Sequence, residues 1–136
     1  MSDFGAVMDQ LITECRDAVA TIPAGALGAE RGVRSGEELG LDALPHVFVH
    51  SPAEAVELLE FQQEQRTFTC VIDLWTDGKT QEELAVYLDA IRDQIAANRS
   101  LSGSVDYATV TGREIFEFAE KSRKVGRLVV TTLEVV

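Results

Sequence analysis

Several residue types that define specialised folds are scarce in this sequence of 136 residues. Its two cysteines, Cys15 and Cys70, are too few and too far apart for a disulfide framework or a thiolate metal cage. No apolar run approaches the roughly 18–20 residues that span a bilayer, so we expect no membrane-spanning segment. Basic residues number 12 against 23 acidic ones, and this net charge of −11 argues against a surface that binds nucleic acid through its phosphates.

The composition that remains is that of an ordinary globular protein, with 46% hydrophobic and 26% charged residues. The first ten residues include Asp3 and Asp9 and no basic residue, so we expect no secretory signal peptide. The length predicts one domain over residues 1–136. Strong negative charge favours solubility, and it also suits a surface past which DNA moves without binding.

Two amphipathic helices are predicted from the spacing of apolar residues. Residues 4–22 place apolar side chains on one stripe, and Pro23 disfavours helical geometry in the residue before it. The second helix covers residues 80–97, where Thr80 and Glu83 have the spacing of a capping box.

Strands are predicted by alternation of apolar and polar residues. The clearest is residues 66–76, and residues 44–50 form a shorter one. Between them, Ser51–Glu54 has capping-box spacing, which favours a helix, but no C-cap precedes Arg66. We therefore prefer a hairpin over residues 51–65, with a strand over about residues 55–61, to a helix. The last third predicts three strands, over residues 105–110, 114–119 and 126–136, with apolar side chains on both faces of the final one.

Residues 24–43 are rich in glycine and predict a flexible loop. The segment lacks the Lys-Ser or Lys-Thr of a phosphate-binding loop and the preceding strand of a dinucleotide-binding one. It is either a flexible surface excursion or an arm that becomes ordered on assembly. Its candidate contact residues for assembly are Glu30, Arg31, Arg34, Glu37 and Glu38.

A basic turn is predicted at residues 121–127, which hold four basic residues and no acidic one. The turn is either a solvated hairpin tip or a docking point for an acidic partner. Its candidate contact residues are Lys121, Arg123, Lys124 and Arg127.

No residue pattern predicts catalysis, a metal site or a cofactor site. His46 and His50, four residues apart on a strand, would have Cα atoms ~13 Å apart, too far to share one metal ion. Cys15 and Cys70 fall on apolar faces, where thiols behave as small hydrophobes. Asp73, beside Trp75 on a strand face, is the one candidate for acid–base chemistry, and a half-exposed strand position or a buried pairing with an arginine across a subunit boundary explains it equally well.

One stretch, Leu44-Pro45-His46-Val47-Phe48-Val49-His50-Ser51, is followed by acidic residues at 54, 57 and 60. Together with the 66–76 strand, the helix over 84–95, the LSGS turn at 101–104 and the long apolar final strand, it resembles the tail terminator proteins of long-tailed bacteriophages. The resemblance implies an α+β fold, with two helices at about residues 4–22 and 80–97 packed on one face of a mostly antiparallel or mixed sheet.

The resemblance further implies a structural virion protein and no enzymatic activity. Such subunits form a ring, expected to be a hexamer, that caps the tail tube, stops its polymerisation and joins it to the head-completion or neck protein. DNA would pass through the lumen without specific binding, and the protein would reside at the neck after assembly in the host cytoplasm. The alternatives are another phage neck or head–tail joining protein, or a small cytosolic α/β ligand-binding domain or enzyme in which Asp73, Trp75 and His46 or His50 line a pocket.

Overall fold

The computed structural model of the chain describes residues 4–20, 28–31, 45–59, 63–77, 80–117 and 123–135. These residues form one five-stranded sheet and two helices, which confirms the expected α+β fold. The strand order is β1-β2-β3-β5-β4, with β1 parallel to β2 and the other pairs antiparallel. In chain order the elements are α1 (Phe4–Ala20), β1 (Gly28–Arg31), β2 (His46–Leu58), β3 (Glu64–Asp77), α2 (Gln81–Ala97), β4 (Tyr107–Glu117) and β5 (Arg123–Val135).

Both helices form where their apolar stripes predict them. In α2 the predicted capping box is present: the backbone N–H of Glu83 donates to Oγ1 of Thr80, and the backbone N–H of Thr80 donates to the Glu83 carboxylate. These two bonds satisfy N–H groups that the first turn of a helix leaves free. The helix α1 contacts α2 and lies over β2, while α2 lies over β4 and β5.

The predicted hairpin over residues 51–65 is confirmed, but its first strand is longer than expected. Residues 44–50 and 55–61 were expected as separate strands, whereas β2 runs unbroken from His46 to Leu58 and pairs with β3. The register shifts between His50 and Ala53, where a β-bulge accommodates Pro52. The pairing partner β1 ends opposite Val49, so Pro52 takes no hydrogen-bonding position from it.

The described residues of the last third form two strands, so the prediction of three was wrong. A single strand, β4, spans most of the two predicted strands. Its pairing register with β5 shifts between Val110 and Gly112. A glycine within a strand commonly marks such a bulge. The predicted turn over residues 121–127 was wrong from Arg123 onward, because β5 begins there and pairs with both neighbours. Lys121 lies outside the described residues.

The glycine-rich segment is also not a loop throughout. Gly28–Arg31 forms the edge strand β1, which pairs with β2 over four residues. The close approach explains the glycine, since a Cβ at Gly28 would lie only 2.4 Å from Nδ1 of His46. The rest of residues 24–43 lies outside the described part of the chain.

The two faces of the sheet differ in what covers them. The face under the helices, called the helix face, holds the main core, which includes Phe68, Ile72, Leu74 and Leu128, all fully buried. The opposite face, called the open face, has no described helix on it. It carries a small separate cluster of Phe48, Trp75 and Val125.

Candidate interaction surfaces

The apolar cluster on the open face is buried without help from either helix. Phe48, Trp75 and Val125 come from three adjacent strands, β2, β3 and β5, and are 1%, 8% and 4% exposed. The ring of His46 packs against that of Phe48, with centroids 4.8 Å apart. This cluster is a small buried apolar patch at the centre of the open face.

An ion pair borders that patch. Nε and Nη2 of Arg127 donate to the two carboxylate oxygens of Asp73 at 2.7 and 3.1 Å, and Nε2 of His50 lies 3.8 Å from Oδ2. The hydrogen bonds and negative charge of Asp73, together with Glu114, raise the pKa of Arg127. Its guanidinium also lies over the ring of Phe116, 5.2 Å from the centroid.

This geometry gives Asp73 a structural role. Both of its oxygens accept from one arginine of the same chain in a bidentate arrangement, a strong pairing that leaves the carboxylate little freedom for acid–base work. The pairing arginine therefore lies on the next strand and is not contributed across a subunit boundary. Sequence reasoning placed Arg127 in a turn and so missed the pair.

The depression beside this pair is small. Asp73, Trp75, Phe116, Val125 and Arg127 line a volume of about 270 Å³ on the open face. Pockets for small molecules commonly reach ~300–1,000 Å³ and enclose most of the ligand. The structure thus brings Asp73 and Trp75 together, as the pocket alternative required, but in a shallow surface depression.

Histidine and cysteine side chains form no reactive group in the described residues. No three His, Cys, Asp or Glu side chains are close enough there to hold a metal ion. Cys15 and Cys70 are fully buried free thiols. Burial, with the nearby charge of Glu14, raises the pKa of Cys15 to about 12, so its thiolate is scarce at neutral pH.

A buried carboxylate joins the two helices, and no sequence pattern pointed to it. Glu14 on α1 is 1% exposed and accepts from the side-chain amides of Gln10 and Gln94 at 2.9 Å each, and from that of Asn98. Asn98 also contacts Ser102 in the turn after α2. Because both carboxylate oxygens of Glu14 accept hydrogen bonds, the cluster holds the helices and this turn in one arrangement.

The predicted contact residues are dispersed. Glu30 and Arg31 lie on the edge strand β1, opposite Phe48 and Val49 of β2. Lys124 and Arg127 lie within β5, as does Arg123, which is only 7% exposed. The residues Arg34, Glu37, Glu38 and Lys121 lie outside the described part of the chain.

Two further surfaces were missed by sequence reasoning. Val56 and Leu58, near the end of the β2–β3 hairpin, are 56% and 74% exposed, although alternating apolar residues usually indicate burial. At the opposite edge of the sheet, a groove of about 220 Å³ lies between α2 and β4. The groove could not be found from the sequence, because it exists only where these two elements meet.

Comparison with known proteins identifies the fold and no family. No protein-family model and no curated protein matches the sequence. Among solved structures, one chain from the virion of a native gene transfer agent particle is similar, with a TM-score of 0.56 and 12% sequence identity. The match covers 95% of this chain and 94% of that one, so the two share a fold from end to end. No helix of the described residues is long and apolar enough to cross a membrane.

Proposed function

We propose that this chain is a structural subunit of a phage or phage-like particle, and specifically a tail terminator. The observation that carries the proposal is the end-to-end fold similarity to a chain of a gene transfer agent virion, at 95% and 94% coverage. The similarity therefore extends over nearly all residues of both chains. The sequence resemblance to tail terminators, which was drawn from different features, points in the same direction.

The surface of the chain supports assembly over catalysis. Several strands carry exposed large hydrophobic side chains, which are typical of surfaces that become covered by partners. The depressions on both sides of the sheet are smaller than usual ligand pockets. The most polar feature of the open face, Asp73 with Arg127, is already internally paired.

The proposed activity is therefore binding without chemistry. Copies of the chain form a closed ring, expected to be a hexamer, on the end of the tail tube, and the ring stops tube growth and receives the head-completion protein. A closed ring uses two different surfaces of each subunit. The net charge of −11 suits a lumen through which DNA passes without adhering, because like charges repel.

The first test is absolute mass in solution, measured by light scattering over a wide range of protein concentration. A ring predicts a species at six times the mass of one chain that persists on dilution. The second test removes the gene from the phage or prophage that encodes it and examines the particles by electron microscopy. A tail terminator predicts tubes of uncontrolled length that are not joined to heads.

Other outcomes distinguish the alternatives. Tubes of normal length beside tailless heads would instead indicate a neck or head–tail joining protein. Normal, infectious particles after removal, together with a monomeric chain at every concentration, would overturn the structural role. That result would direct attention to a ligand at the depression beside Asp73.

A further inference from the structure

One side of the molecule ends in a hairpin with exposed apolar side chains. Val56 and Leu58 of β2 are 56% and 74% exposed, and neither helix covers them. Carboxylates border them on the same face, since Glu54 is two residues before Val56 on β2 and Glu64 is the register partner of Leu58. The hairpin end is therefore an apolar surface with an acidic border, in which Arg66 pairs with Glu54 at 2.8 Å.

The other side of the molecule carries a groove of the opposite character. Between α2 and β4, a volume of about 220 Å³ is lined by apolar Ile95, Ala96 and Val110. Its charged lining consists of Arg92, Asp93 and Arg99, and Arg92 is already paired, 3.7 Å from Asp93 and 3.5 Å from Asp89.

The groove is held open by local contacts of its own residues. Nη1 of Arg99 donates to the carbonyl oxygen of Ala108 at 3.2 Å, and its guanidinium lies over the Tyr107 ring at 5.0 Å. Arg99 is thus fixed at the junction of α2 and β4. In a chain of net charge −11, a preformed apolar groove with two arginines is a preferred place for an acidic surface.

The positions of the two surfaces fit a head-to-tail contact. The hairpin belongs to β2 and β3, and the groove to β4, which lies at the opposite edge of the sheet. The pairing register places them toward the same end of the strands, because Gln65 pairs with Val135, and Leu133, two residues earlier, pairs with Tyr107. Copies placed side by side would bring one hairpin end to the next groove with little shift along the strands.

We propose that the hairpin end of one copy docks into the α2–β4 groove of the next copy. Leu58 and Val56 would fill the apolar groove, and Glu64 would face Arg99. Because the two surfaces differ, the contact is heterologous, and its repetition closes a ring when the rotation between copies allows it. The inference deepens the proposed ring function by naming the surfaces that would build the ring.

The direct test is a cross-link between the two surfaces. The double variant Leu58→Cys/Ala96→Cys, purified in full length and mildly oxidised, should give a ladder of disulfide-linked multiples on a non-reducing gel. The native cysteines do not interfere, because both are fully buried. The matched control is Leu58→Cys/Val86→Cys, in which Val86 is an equally exposed position of α2, at 55%, outside the groove. It should give no species larger than a dimer.

A second variant pair measures the strength of the contact. Leu58→Glu should weaken self-association at least tenfold by light scattering, whereas Val86→Glu should leave it unchanged. Equal ladders from the two cysteine pairs, or equal association of the two glutamate variants, would overturn the docking. If the wild-type chain nevertheless assembles, the ring function survives and its subunits meet elsewhere. Failure of the ring function itself is decided separately, by tail length after gene removal.

Discussion

The two faces of this sheet are built from the same strands and have different compositions. On the helix face, Phe68 and Ile72 are fully buried against the two helices. On the open face, the alternating positions of β3 carry threonines, Asp73 and Trp75, and Trp75 belongs to the small buried cluster with Phe48 and Val125. The difference indicates that the helix face, with its larger apolar core, contributes most to stability.

The largest expected difference in stability is between alanine substitutions at two adjacent residues of β5. Leu128→Ala, on the helix face, should lower the free energy of unfolding by about 3 kcal/mol, because it removes buried methyl groups and leaves a cavity. Val129→Ala, on the open face and only half-buried, should lower it by less than about 1 kcal/mol. Urea unfolding of both variants measures the difference. Similar losses would show that the open face is covered as tightly as the helix face.

Alanine substitutions at two glycines, one on each face, should differ in stability by an intermediate amount. A Cβ at Gly126, on the helix face, would lie 2.8 Å from Cδ1 of Leu88, so Gly126→Ala should destabilise the fold by about 1–3 kcal/mol by pushing α2 outward. A Cβ at Gly112, on the open face, would lie 3.6 Å from Cβ of Val129, which is an ordinary contact distance. Gly112→Ala should therefore change stability by less than about 0.5 kcal/mol. Thermal unfolding of the two variants measures this difference. A larger loss of stability for Gly112→Ala than for Gly126→Ala would contradict the packing of α2 on β5.

The smallest expected effect concerns the charges on the open face. Asp73→Asn should lower stability by under about 1 kcal/mol, since Arg127 is 39% exposed and water replaces much of the lost pairing. The loss should shrink further in about 1 M salt, which screens charges beyond ~3 Å. Glu54→Gln, which breaks a comparable exposed pair with Arg66, is the matched control. A loss at Asp73 that is several-fold larger than the control and insensitive to salt would mean that this pair is buried.

Periodicity accounts for the parts of the fold that were predicted correctly. The alternation in residues 66–76 identified both faces of β3, and the apolar stripe with its capping box identified α2. Capping-box spacing at Ser51–Glu54 did not produce a helix, because local spacing carries no information about a neighbouring strand. These residues belong to β2, which pairs with β3. A bulge accommodates Pro52, and another one hides the continuity of β4 at Gly112.

The surfaces were harder to predict than the elements. Asp73 and Arg127 meet across 54 residues of sequence, a separation that no local pattern reports. The α2–β4 groove likewise depends on how two elements pack. Glu30 and Arg31 were singled out for their charge alone, and their role in contacts stays a prediction, as does that of Lys124 and Arg127.

The central position of β5 has a consequence for synthesis of the protein. This strand lies between β3 and β4, and every pair it makes with β3 joins residues far apart in sequence. Helix α1 and the β2–β3 hairpin emerge from the ribosome earlier, but the sheet remains in two parts until β5 has been released. Such non-local pairing slows folding and leaves inner strand edges exposed meanwhile. We therefore expect folding to finish after translation of β5, and a chain truncated before Arg123 to aggregate.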